Sequence, residues 1–144
     1  MIALASDHGG FALKEEIKKY LAQRGLPYQD FGCMNENSCD YPDMAKLACD
    51  AVLSGKCDKA LLFCGTGIGI SMAANKIKGI RAAACSDAFS AKYTRLHNDA
   101  NALCLGGRVV GSGLAIELVD LFLDTAFEGG RHSTRIAKIH ALEK

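Results

Sequence analysis

The chain carries no excess charge of either sign. Seventeen Lys and Arg stand against sixteen Asp and Glu, a net +1 over 144 residues, so no overall field draws it toward nucleic acid or anionic lipid. No apolar run approaches the roughly 20 residues of a membrane span. The N-terminal run Ile2–Ser6 halts at Asp7 and His8, too short for a secretion signal and without a basic start. There is no internal repeat, low-complexity tract or linker. Cys-x-x-Cys is absent, as is the paired histidine spacing of a zinc site. The seven cysteines (33, 39, 49, 57, 64, 85 and 104) are odd in number. Without a secretion signal they read as reduced thiols of a cytoplasmic protein, most of them small buried hydrophobes.

What is present is a regular alternation. The runs Ile2–Ser6, Tyr28–Phe31, Ala60–Cys64, Ile80–Cys85 and Ala102–Leu105 predict strands. Phe11–Arg24 predicts a helix with Leu13, Ile17, Tyr20 and Leu21 on one face and Gly25 as its stop. Further helices are expected at Asp43–Leu53 behind Pro42, Ile68–Ile77, Asp87–His97 and Ser112–Phe127, with Arg131–Lys144 as a short last one after Gly129-Gly130. This order predicts one α/β domain over 1–144, a parallel sheet with helices on both faces. Ligands of such sheets bind beyond the carboxyl ends of the strands. The informative residues are then Asp7–Gly10, the loop 32–41, Gly65–Gly69, Ser86-Asp87 and Gly106–Arg108.

Cys64-Gly65-Thr66-Gly67-Ile68-Gly69 follows the third apolar run directly. Alternating glycines let backbone N–H groups converge on an anion, and a thiol at a helix N-terminus has its thiolate stabilised. Thiol and anion hole together suit proton transfer through an oxyanion. The alternatives are an inert core thiol and a simple tight turn. A dinucleotide fingerprint is excluded because positions 70 and 72 are Ile and Met, and a Walker A loop because Ile70-Ser71 replaces its Lys-Ser or Lys-Thr. Asp7 and His8 suit proton shuffling or phosphate contact, with helix capping by Asp7 as the alternative. His97 ends a helix, where taken alone it reads first as a structural cap. Arg131 and Arg135, four apart, present two guanidinium forks that suit a phosphate dianion or a merely solvated face, and Arg108 is a third candidate.

The segments Ser-Asp-His-Gly-Gly-Phe (6–11), Asp-Tyr-Pro-Asp (40–43), Cys-Gly-Thr-Gly-Ile-Gly-Ile-Ser-Met-Ala-Ala-Asn-Lys (64–76), Gly-Ile-Arg-Ala (79–82), His-Asn-Asp-Ala-Asn (97–101), Gly-Gly-Arg-Val-Val-Gly (106–111) and Glu-Gly-Gly-Arg-His (128–132) occur in order. Together they resemble the ribose-5-phosphate isomerase B family, which includes allose-6-phosphate and galactose-6-phosphate members. The resemblance covers essentially the whole chain. It implies a Rossmann-like three-layer α/β/α fold with a five-stranded parallel sheet, a homodimer (or a dimer of dimers) with shared active sites, and neither metal nor cofactor. It implies aldose–ketose isomerisation through an enediolate, D-ribose 5-phosphate to D-ribulose 5-phosphate. Six-carbon sugar phosphates, or non-catalytic sensing of a sugar phosphate, are the alternatives.

By the same resemblance Cys64 is the base. Gly65, Thr66, Gly67, Ile68 and Gly69 hold the enediolate oxygens, His97 opens the sugar ring with Asn98 binding nearby, and Asp7 relays protons. His8, Arg108, Arg131 and Arg135 hold the phosphate, and Tyr41 lines the sugar. A sister branch of the family lacks the cysteine and has a glutamate at the position of Ile70. Cys64 with Ile70 places this chain in the cysteine branch.

Overall fold

The computed structural model describes residues 1–143. Lys144, the end of the expected last helix, lies outside them. The elements run β1 (Ile2–Ser6), α1 (Phe11–Gln23), β2 (Tyr28–Asp30), α2 (Tyr41–Leu53), β3 (Lys59–Cys64), α3 (Ile68–Ala74), β4 (Ala82–Ala84), α4 (Ala88–Asn98), β5 (Ala102–Gly106), α5 (Ser112–Asp124) and α6 (Arg131–His140). All pairings are parallel, in the order β2-β1-β3-β5-β4. The chain leaves β1 toward one edge and returns at β3 toward the other. The crevice between β1 and β3 is therefore the topological switch point.

The two sheet faces differ in side-chain size. One presents Leu4, Leu61, Phe63, Leu103 and Leu105 to Ile17 and Leu21 of α1 and to Leu118 and Phe122 of α5. The other is built largely of small residues, Ala3, Ala5, Ala60, Ala102 and Cys104, beside Leu62 and Cys64. Against it lie the equally small Ala45, Ala48 and Cys49 of α2 and Ala74 of α3. The close approach this permits seats α3 on the sheet behind Cys64. Buried cysteines serve here as small hydrophobes: burial pushes the Cys49 thiol up to about 12 and the Cys85 thiol up to about 11. All seven cysteines are free.

Several boundaries differ from the sequence expectation. Helix α2 begins at Tyr41, two residues early, because Pro42 fits the first turn where its missing N–H costs nothing. Strand β4 is only three residues long, and the Arg81 amide before it donates to the Asn101 side-chain oxygen at 2.7 Å instead of to a neighbouring strand. Helix α5 ends at Asp124, where Thr125 becomes extended. Helix α6 ends at His140. Asp30, at the end of β2, does not face a ligand. Its carboxylate accepts from Lys14 Nζ at 2.7 Å, Lys18 Nζ at 2.9 Å and the Gly32 amide at 2.9 Å. Burial opposes its charge, but those donors win and hold the carboxyl below its usual range. No described helix is long and apolar enough to cross a membrane.

Candidate active site

At the switch point three loops meet backbone to backbone. The Gly107 amide donates to the Cys64 carbonyl at 2.8 Å, Arg108 to Gly65 at 3.0 Å, and Asp7 to Phe63 at 3.1 Å. A side chain on Gly107 would stand 2.6 Å from the Gly9 carbonyl oxygen, so only glycine permits this approach. The loop after β3 bends through Gly67 at φ +80° and enters α3. That bend aims the Gly67 amide at Cys64, whose Sγ accepts it at 3.1 Å. The Thr66 hydroxyl accepts from the Ile68 amide at 3.1 Å and so caps α3. Among the described residues the amides of Gly65 and Thr66 have no protein acceptor, leaving two donors for a ligand.

Around this loop stand the other residues expected at strand ends. Asp7 is buried, and its carboxylate accepts from the Gly10 amide at 3.0 Å, in the turn that leads into α1 and not at a helical N–H group. His8 is exposed, with its Nδ1 accepting from the Cys39 amide at 3.3 Å. The Tyr41 ring lies over Gly69, and the Arg108 guanidinium lies over Gly65. Ser86-Asp87, also singled out, only starts a helix: Asp87 accepts from the Ser90 amide at 2.7 Å.

His97, Asn98, Arg131 and Arg135 are elsewhere. Helix α4 runs from the carboxyl edge of the sheet back to its amino edge, where Asn101 accepts from the Ala60 amide at 2.9 Å. Ala60 and Cys64 are four strand residues apart, about 13 Å. Within one chain, then, the thiol and His97 occupy opposite edges. Buried Arg95 fastens the amino-edge cluster, donating to the Thr125 carbonyl at 3.1 Å and to the Asp99 carboxylate and the Ala100 carbonyl at 2.7 Å each. The segment after α5 packs against it, with the Glu128 amide donating to Leu96 at 3.0 Å. The His97 and His132 rings stack at 4.2 Å. Arg131 and Arg135 project to solvent from α6. A cavity of about 700 Å³ opens at this edge, lined in part by Arg81, Asn98, Ile139 and Leu142, and not at the thiol.

A family model described as Ribose/Galactose Isomerase matches residues 2–139. The chain belongs to this family. It is 48% identical over 143 residues to ribose-5-phosphate isomerase B of Escherichia coli, covering 99% of this chain and 96% of that one. It is 42% identical over 140 residues to D-erythrulose-4-phosphate isomerase of Pectobacterium atrosepticum, covering 96% and 91%. Ribose-5-phosphate isomerase B of Clostridium thermocellum superposes with a TM-score of 0.97 at 51% identity, over 98% of this chain and 95% of that one.

Within this isomerase fold the sequence reading passed over three things. Glu128 and His132 join His97, and only their four-residue spacing hinted at a shared face. Cys39 is brought to His8 by a long loop. Lys14 is wholly buried and holds that loop through the Cys33 carbonyl.

Proposed function

We propose that the chain interconverts D-ribose 5-phosphate and D-ribulose 5-phosphate without a cofactor, as a cytoplasmic homodimer. The observation that carries the reading is the thiol at the switch point with a backbone donor on its sulfur and two free amides beside it. Cys64 takes the C2 proton of the open-chain aldose. The C–H electron pair becomes the C1–C2 double bond, and the charge moves to O1. The amides of the loop Gly65–Gly69 and the Thr66 hydroxyl hold the enediolate oxygens. Donors placed where charge develops are each worth about 2.7–4 kcal/mol. Return of the proton to C1, with Asp7 relaying the hydroxyl proton from O2 to O1, gives the ketose. His97, with Asn98 beside it, opens the furanose ring. His8, Arg108, Arg131 and Arg135 grip the phosphate, whose binding energy holds the small sugar against the base, and Tyr41 lines the sugar.

The edge-to-edge separation of Cys64 and His97 supports a site completed across a dimer, with His97, Asn98, Arg131 and Arg135 coming from the partner. Exposed apolar side chains supply a face for that partner, including Ile68 and Met72 of α3 and Phe89 of α4. The family contains a relative named for a four-carbon substrate, so substrate length is part of the test. Turnover should be fastest with ribose 5-phosphate when compared with allose 6-phosphate and erythrulose 4-phosphate.

Cys64→Ala and His97→Ala should each abolish turnover of ribose 5-phosphate. Unfolded together in equal amounts and refolded, they should recover about a quarter of parental activity. Half of the dimers are then hybrids, and each hybrid has one intact site. No recovery on mixing, with hybrid dimers demonstrated by mass, would defeat the shared site.

A further inference from the structure

The amino-edge cluster has the composition of a metal site. One ring nitrogen each from His97 and His132 and one Glu128 carboxylate oxygen all lie within 4.8 Å of one another. Glu128 stands between the imidazoles, 3.8 Å from one and 4.0 Å from the other. His132 Nε2 is sealed from solvent and has no hydrogen-bond partner among the described residues, a state buried polar atoms rarely keep without a ligand.

We infer that His97, Glu128 and His132 bind a divalent first-row transition ion, zinc foremost. Two imidazoles and a carboxylate with a fourth position open to water is a set that zinc accepts, whereas magnesium and calcium prefer oxygen alone. Zinc bonds of 2.0–2.1 Å require donor atoms about 3.4 Å apart. The donors, within 4.8 Å of one another, must therefore draw together by up to about 1.4 Å, and the Glu128 side chain, 55% exposed, is free to move. The rings are stacked within 13° of parallel with centroids 4.2 Å apart, and each nitrogen lone pair lies in its own ring plane, so one ring must turn before a single ion can lie in both planes. His97, at 38% exposure, is the one with room. Arg131 and Arg135 lie on the same helix, and their charge opposes that of the ion.

The ion takes the Nε2 lone pair of His97. On the proposed function this removes the ring-opening group, so zinc acts as a reversible inhibitor of cyclic ribose 5-phosphate turnover; this consequence alone rests on that reading.

The test is a Co²⁺ titration of the native protein followed by visible absorption. Expected is one ion per chain with weak d–d bands and no intense near-ultraviolet sulfur-to-metal band. Zinc should displace it. Glu128→Gln, at an exposed position, and His132→Gln should each weaken binding ~10-fold or more, with folding checked by circular dichroism. Unchanged affinity in both variants, no binding at all, or a strong thiolate band placing the ion on a cysteine overturns the inference. Binding that behaves as expected while zinc leaves ribose 5-phosphate turnover untouched upholds the metal site and refutes the role given to His97.

Discussion

Lys14→Met tests how the fold holds the loop over the switch point. The Lys14 side chain is 0% exposed, and its ammonium donates to Asp30 Oδ1 at 2.7 Å and to the Cys33 carbonyl at 2.5 Å. Methionine fills nearly the same volume, so the loss is electrostatic rather than a cavity. Removing one partner of a buried pair costs about 3–5 kcal/mol. Asp30 keeps Lys18 and the Gly32 amide, which points to the lower end, while the Cys33 carbonyl is left without its donor. About 3 kcal/mol is therefore expected. At ~2.1 cal/mol/K per residue, a chain of this size loses roughly 10 °C in Tm for that cost.

Thermal melts at one fixed protein concentration are the assay, since the proposed dimer would make Tm concentration-dependent. Lys18→Met is the control: its partly exposed ion pairs should cost under about 1 kcal/mol. The pH dependence has a defined sign. The Asp30 carboxyl is depressed in the folded state, so its contribution is complete above about pH 4 and is lost as pH falls through its folded value. The gap between parent and variant should narrow in acid. A Lys14→Met protein melting within about 2 °C of the parent would show that the buried ammonium does not anchor this loop.

Three further outcomes follow from the structure. Gly67→Ala places a Cβ 2.9 Å from the Leu105 backbone at φ +80°, with no flexible atom to yield, and should cost about 1–3 kcal/mol or more. Gly69→Ala meets only the movable Tyr41 ring, at 2.8 Å, so it should melt within about 1 kcal/mol of the parent yet raise KM by displacing that ring; an unchanged KM would separate Tyr41 from the sugar. His132 has a lowered folded pKa, so the unfolded chain binds more protons below about pH 6.5 and stability falls as pH drops through that range. Melts of the parent and His132→Gln from pH 7.5 to 5.5 should show a shallower decline in the variant, and parallel curves would refute the assignment.

The sheet was readable because β3 and β5 are short apolar runs ended by glycine, and because Leu13, Ile17 and Leu21 repeat at helical spacing; all three are buried. The Cys64–Gly69 loop was readable for the same reason: it follows a strand, and strand ends are where parallel sheets gather ligand groups. Lys14 was not. A lysine beside a buried helical stripe reads as solvated, and its partners, Asp30 and the Cys33 carbonyl, come from chain 16 and 19 residues away. Glu128 and His132 were obscured because their partner His97 lies on another helix, and no local pattern reports a contact made in space. The separation of His97 from Cys64 was implicit in chain order, since one precedes a strand and the other closes one.

A newly folded chain that has not met its partner carries a nucleophilic sulfur at one pole and an imidazole at the other, a strand's length apart. On the shared-site reading such a chain is silent toward a cyclic sugar phosphate however well it is folded. Turnover per chain should then fall away on dilution, in direct proportion to concentration once monomers predominate, and the total rate as its square. The rate would report assembly as directly as any measurement of mass.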